Sequence, residues 1–216
     1  MRLQSAIFDM DGTLLDSMHI WAHLGETTLR EDYGIEPAPD FNDHVRELSL
    51  RDGAAWAVKE YKLNCSADEL TRHMMAKVDD FYTNRVQAKP GVKEFLALLK
   101  IEGVWMYIAT ATDRQITEKA LRCAGIRDYF RGIVTTDETG CDKHSPEIFE
   151  RAMRRLHSTK RDTVVFEDAP HAVRCAKDAG FRVCAVYDPS NEAEQEELKA
   201  IADYYVKSFE EFTKRD

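Results

Sequence analysis

The stretch Ala6-Ile7-Phe8-Asp9-Met10-Asp11-Gly12-Thr13-Leu14 decides how this chain is read. A short apolar run ends in two aspartates spaced i, i+2, followed by a Gly-Thr turn. Alternate side chains of a strand point the same way, so Asp9 and Asp11 emerge on one side where strand gives way to loop. A buried strand ending in acids is costly unless a cation, a ring of hydrogen bonds, or both compensate the charge. The chemical reading is a carboxylate nucleophile beside a carboxylic acid/base, with a hard metal ion between them and a phosphate. A solvated Asp-Gly turn is the plainer alternative.

Downstream of Asp16 the pattern turns helical, and residues 17–87 contain no convincing strand. Ser17 is a candidate cap for a first helix ending near Tyr33-Gly34, with Trp21, Leu24, Thr28 and Leu29 on one face. Pro37 and Pro39 break the chain, and helices are expected over Phe41–Leu48 and Leu50–Tyr61. Ser66-Ala67-Asp68-Glu69 has the capping-box form. The apolar positions Leu70, Met74, Val78 and Phe81 then recur at helical spacing. This is a four-helix unit inserted directly after the acidic loop.

From Pro90 onward strands and helices alternate. Strands are expected at Val104–Ala109, Ile133-Val134, Thr163–Phe166, Val183–Val186 and Tyr204–Val206. Helices are expected at Pro90–Leu99, from Asp113 to Gly125, and over Pro146–Leu156, Pro170–Ala179 and Glu192–Ile201. Strands separated by such helices pair in parallel with right-handed crossovers. The fold class is therefore α/β, an open parallel sheet flanked by helices with an inserted four-helix cap. Its active edge is expected at the strand carboxyl ends. Residues 1–16 and 88–216 form the core and 17–87 the insertion.

Composition narrows the partners. The 216 residues are 44% hydrophobic and 32% charged, enough to bury a core. The net charge of -9 argues against nucleic acid or an anionic membrane as the general partner. Cys65, Cys123, Cys141, Cys175 and Cys184 are odd in number and form no C-x-x-C pair, which fits reduced thiols. No signal peptide or bilayer-spanning run is apparent, so a cytoplasmic, monomeric protein is expected. An acidic protein that handles phosphate must make its site locally positive with a metal and one or two well-placed bases.

The strand ends supply such a set. Strand one ends in Asp9 and Asp11, Val104–Ala109 in Thr110 followed by Ala111 and Thr112, and Thr163–Phe166 in Glu167 and Asp168. Lys143 lies between the last two, ahead of Ser145-Pro146-Glu147. Singly, Thr110 reads as a cap, Lys143 as a solvated lysine, and Glu167-Asp168 as an N-cap pair. Together they form a nucleophile, an acid/base, a hydroxyl, a fixed cation and a metal-binding pair on one edge.

In these residues the sequence resembles the haloacid dehalogenase superfamily. Within it, the chain is similar to the β-phosphoglucomutase-like phosphatases, the branch with an α-helical cap. Asp9-Met10-Asp11-Gly12-Thr13 matches the first motif, Thr110 the second, Lys143 the third and Glu167-Asp168 the fourth. His144 stands where proline is common and Ala172 where glycine is common, but no catalytic group is lost. The resemblance implies a Mg2+-dependent phosphomonoester hydrolase acting on a small phosphorylated metabolite. It implies attack on phosphorus by Asp9, proton transfer by Asp11, and phosphoryl contacts from Thr110, Ala111 and Lys143. Mg2+ would be held by the Asp9 carboxylate, the Asp11 carbonyl and Asp168, with Glu167 in support.

Asp11 argues against dehalogenase and phosphonate-cleaving branches, which lack an acid there. A sugar phosphomutase keeps it and is the nearest rival. The well-known mutase of this branch carries a histidine where Trp21 stands here. Receiver domains also use Asp, Thr and Lys around Mg2+, but without a helical insertion after the first strand. A catalytically dead interaction protein is disfavoured because no catalytic position is substituted. Trp21 and Arg51 are the leading substrate-contact candidates of the insertion.

Overall fold

The computed structural model describes residues 3–46 and 48–213. Its elements divide into one unit built from residues up to Ser17 and from Val86 onward, and a second spanning Met18–Arg85. The first unit carries six strands, β1 (Ser5–Phe8), β2 (Trp105–Thr110), β3 (Ile133–Thr135), β4 (Thr163–Glu167), β5 (Arg182–Val186) and β6 (Tyr204–Val206). They form one sheet in the order β3-β2-β1-β4-β5-β6, every pairing parallel. β1 is central, with Phe8 opposite Ile108 of β2 on one side and Phe166 of β4 on the other. A central parallel strand has both faces covered, which explains why all four β1 residues are buried. The chain order reverses beside β1, so a crevice opens at its carboxyl end.

The insertion contains α1 (Met18–Tyr33), α2 (Phe41–Val45), α3 (Leu50–Glu60) and α4 (Ala67–Asn84). Around the sheet lie α5 (Val92–Ile101), α6 (Arg114–Cys123), α7 (Thr136–Thr139), α8 (Glu147–Arg155), α9 (Pro170–Asp178) and α10 (Gln195–Ile201). The strand alternation of two sends Ile7, Val165 and Val183 to one face, where they pack with Ile148, Phe149, Val173 and Leu198 from α8–α10. Phe8 and Phe166 take the opposite face, stacked at 4.5 Å between ring centroids, with Phe95 and Phe130 edge-on to Phe8. Truncating a ring this buried costs about 3–5 kcal/mol.

The capping box forms as the sequence predicts: Ser66 accepts from the Glu69 N–H and the Glu69 carboxylate accepts from the Ser66 N–H. Asp113 caps α6 by accepting from the N–H groups of Gln115 and Ile116. Other boundaries differ. The helix expected from Pro90 starts at Val92, because Gly91 sits at φ +79° with the Glu210 backbone where a Cβ would stand. The helix expected over Glu192–Ile201 becomes α-helical only at Gln195, the start of α10; its first residues belong to a 3-10 segment over Pro189–Glu194 that is interrupted at Asn191, where φ is -114°. α2 stops at Val45, and the short α7 has no counterpart among the sequence expectations.

Candidate active site

The acidic loop leaves β1 with its backbone still in the ladder: the Asp9 N–H donates to the Phe166 carbonyl at 2.9 Å. It then curls back, the N–H groups of Leu14 and Leu15 both donating to the Met10 carbonyl at 2.9 Å. Gly12, at φ +76°, permits the curl and leaves room for its neighbour. A Cβ there would lie 2.4 Å from Asp168 Oδ2.

Four side chains meet at the strand ends. Lys143 Nζ donates to Asp9 Oδ1 and, at 2.9 Å, to Glu167 Oε2. Asp9 and Lys143 are only 5% and 6% exposed, and Glu167 and Asp168 less, so water screens the charges little. Thr13 Oγ1 donates to Asp168 Oδ1 at 2.8 Å and Asn191 Nδ2 to Asp168 Oδ2 at 3.0 Å. The break at Asn191 thus accompanies an amide directed at the acid. Lys143 is therefore not a solvated surface residue. Of the N-cap reading of Glu167-Asp168 there remains only the Glu167 Oε1 acceptor for the Ala169 N–H at 3.2 Å, since α9 has no side-chain cap.

Asp11 is held separately. Ser17 Oγ donates to its Oδ1 at 2.6 Å and Thr112 Oγ1 to its Oδ2 at 2.7 Å. The Thr112 N–H in turn donates to Thr110 Oγ1 at 3.1 Å, so Thr112 links Thr110 to Asp11. Ala111 is exposed, its carbonyl facing the Thr136 hydroxyl at 3.5 Å. Thr13 belongs to the first motif and holds Asp168; Thr112, Ser17 and Asn191 are site residues that the motif reading does not single out, Ser17 being read there only as a cap. Lys89 belongs with them: its ammonium donates to the Gly12 carbonyl and, at 2.8 Å each, to the Tyr187 carbonyl and Asp188 Oδ2.

Electrostatics give the group its character. Burial, then the Glu167 charge, push Asp9 well above the usual carboxylate range, against the pull of Lys143. Burial and Glu167 likewise push Asp168 up to about 7, with Thr13, Lys143 and Lys89 opposing. Burial also disfavours the Lys143 charge, but the Asp9 and Glu167 carboxylates outweigh it and hold the ammonium above its ordinary value. Three buried carboxylates against one buried ammonium leave negative charge uncompensated. Asp9, Glu167 and Asp168 each offer an oxygen within 4.8 Å of the others, among the described residues the one such trio. An all-oxygen set short of positive charge fits a hard divalent cation such as Mg2+. The Asp11 carboxylate is not in that trio.

The two insertion candidates stand apart from each other. Trp21, 37% exposed, donates from Nε1 to the Tyr82 hydroxyl at 3.0 Å and lines a groove of about 530 Å3 with Phe41, Leu50, Gly53 and Met74. Arg51 does not line it; its Nε donates to Asp68 Oδ1 at 3.0 Å on an exposed surface.

Residues 6–186 match the sequence profile of the haloacid dehalogenase-like hydrolases. A phosphorylated-carbohydrate phosphatase of Thermotoga maritima is 26% identical over 179 residues, covering 83% of this chain and 82% of that protein. Hexitol phosphatase B of Escherichia coli K12 is 26% identical over 218 residues, covering 100% and 96%. A crystal structure of a Thermotoga maritima protein put forward as a beta-phosphoglucomutase superposes with a TM-score of 0.84 at 26% identity, over 94% of each chain. No helix among the described residues is long and apolar enough to cross a membrane. With that profile matched over most of the chain and a parallel sheet of matching architecture, the chain belongs to the haloacid dehalogenase-like hydrolases.

Proposed function

We propose that the protein is a Mg2+-dependent phosphomonoesterase that hydrolyses a small phosphorylated metabolite, a sugar or polyol phosphate, through an aspartyl-phosphate on Asp9. The observation that carries this reading is the Lys143 ammonium bridging Asp9 and Glu167 beside Asp168, at the sheet's switch point. The names of the phosphorylated-carbohydrate and hexitol phosphatases support the substrate class.

Asp9, Glu167 and Asp168 would hold the metal, which when bound supplies positive charge against the phosphoryl oxygens and keeps Asp9 ionised. An Asp9 carboxylate oxygen attacks phosphorus and the bond from phosphorus to the ester oxygen breaks. Asp11, oriented by Ser17 and Thr112, gives its proton to the departing oxygen. The Asp11 carboxylate then takes a proton from water as the water oxygen attacks phosphorus. The bond to Asp9 breaks and inorganic phosphate leaves. Lys143 and Thr110 hold phosphoryl oxygens while charge redistributes. The helical unit serves as cap and reads the leaving group, with Trp21 on its groove as the residue for stacking.

The test is a phosphate-release screen over phosphorylated sugars, polyols and nucleosides in Mg2+, with acid-quenched samples examined for phosphate on Asp9. Free phosphate with a labelled Asp9 peptide is expected. Isomerised sugar phosphate with little free phosphate would replace hydrolase by mutase, and turnover without an Asp9 adduct would overturn the covalent route.

A further inference from the structure

In an acidic chain, one recess of the first unit gathers positive charge. Arg114, Arg127, Arg131, Arg151 and Arg155 line a cavity of about 280 Å3 beside the edge strand β3, and Glu138 is the only acid among the lining residues. A guanidinium is charged at any physiological pH, so five like charges share this wall with one carboxylate. The cavity shares no residue with the strand-end carboxylates or Lys143.

Three of the five arginines have carboxylate partners, Arg151 with Glu147 at 3.6 Å among them. Arg127 is matched, with Nε and Nη2 donating to Glu118 at 2.7 and 3.0 Å. Arg114 is matched by Glu138. Arg131 and Arg155 have no ion-pair partner among the described residues. Arg131 is nonetheless fixed, its guanidinium 3.5 Å above the centroid of the Trp105 ring. Two others are pinned by backbone: Arg114 Nη2 donates to the Ile133 carbonyl and Arg151 Nη1 to the Glu138 carbonyl, each at 2.6 Å. Tyr107 brings a hydroxyl to the same wall. It fits only because residue 132 is glycine, where a Cβ would lie 2.4 Å from the Tyr107 oxygen.

We infer that this recess is a binding site for a small polyanion with adjacent phosphoryl groups, a polyphosphate chain either free or on a nucleotide. Guanidinium forks pair with phosphoryl oxygens two at a time. Several positioned forks with two charges uncompensated call for more negative charge than one phosphate carries. The volume agrees, since about 280 Å3 equals several waters at roughly 30 Å3 each, more than a lone phosphate fills.

The test is calorimetric titration of the full chain, in EDTA, with inorganic tripolyphosphate and with ATP. Wild-type protein should bind tripolyphosphate far more tightly than sulfate at matched ionic strength, and ATP if the nucleotide is the source. The Arg131→Gln/Arg155→Gln double variant should lose at least about tenfold in affinity. Arg155→Gln alone, which disturbs no ring contact, should lose part of it. Both variants should keep wild-type turnover of para-nitrophenyl phosphate. Equal tripolyphosphate affinity in wild type and double variant would overturn the site, as would wild-type binding no tighter than that of sulfate. The readout needs no turnover, so failure of the phosphatase reading leaves it standing.

Discussion

The strand-end site and the groove of the helical unit spend their polar groups in opposite ways. At the strand ends Asp9, Lys143, Glu167 and Asp168 are all nearly water-free, and each is held by partners from distant parts of the chain. In the helical unit the ion pair of Arg51 with Asp68 leaves side chains 73% and 69% exposed, and the groove sets rings and aliphatic residues beside the exposed Asp43, Arg46 and Ser49. Low dielectric magnifies the first set of charges and solvent screens the second. One region is built to hold a single charge arrangement; the other presents shape that can change without disturbing any buried charge.

The sharpest way to break this contrast is at Asp9. Asp9→Asn should lower kcat by at least about 10,000-fold in phosphate-release assays while far-UV circular dichroism stays unchanged. Activity above about one per cent of wild type would remove Asp9 as nucleophile. Gly12→Ala forces a side chain into Asp168 and strains a left-handed residue, so the Mg2+ concentration for half-maximal activity should rise about tenfold or more. Thr112→Val removes one of two hydroxyls holding Asp11 and should cut kcat by about 10- to 100-fold with little change in KM. A matching rise in KM would place Thr112 in substrate binding instead.

Protonation sharpens the contrast further. Asp168 sits at about 7 in the metal-free fold, against about 4 for a carboxylate in an unfolded chain. The folded state therefore holds the proton more tightly. That contribution to stability is full below about pH 4 and is lost as pH rises through about 7. In EDTA, the melting temperature of the wild type should fall over this window, and Asp168→Asn should flatten the fall. The smallest effect belongs to the exposed pair: Arg51→Ala should change stability by less than about 1 kcal/mol in urea unfolding.

What the sequence made legible follows from range. The apolar run before Asp9, the capping box at Ser66 and the Asp113 cap are local, and each forms as read. Asp9, Asp11, Glu167 and Asp168 were visible because carboxylates are unusual where buried strands end. Thr112 and Asn191 were not, because their partners lie 101 and 23 residues away and a lone threonine or asparagine carries no periodicity. Ser17 illustrates the limit: its position before α1 suggests a cap, yet its hydroxyl is drawn to Asp11. Arg51 has the chemistry of a substrate contact, but pairing with Asp68 depends on how α3 and α4 pack, which the sequence pattern leaves open.

The two points where the chain leaves and re-enters the first unit are zipped together. Leu15 bridges to Ala88, the Asp16 N–H donates to the Gln87 carbonyl at 3.1 Å and the Lys89 N–H to the Leu14 carbonyl at 2.9 Å. Lys89 then ties this junction to the Gly12 carbonyl. The junction is thus a socket, closed on itself before the insertion begins. Lengthening an insertion on such a socket costs only about 0.6 kcal/mol per doubling of the loop. Recombination or drift can accordingly exchange the segment for another of different length, and the acidic loop keeps its geometry. Diversification of this scaffold is made cheap at residues 18–85 and expensive everywhere the socket touches.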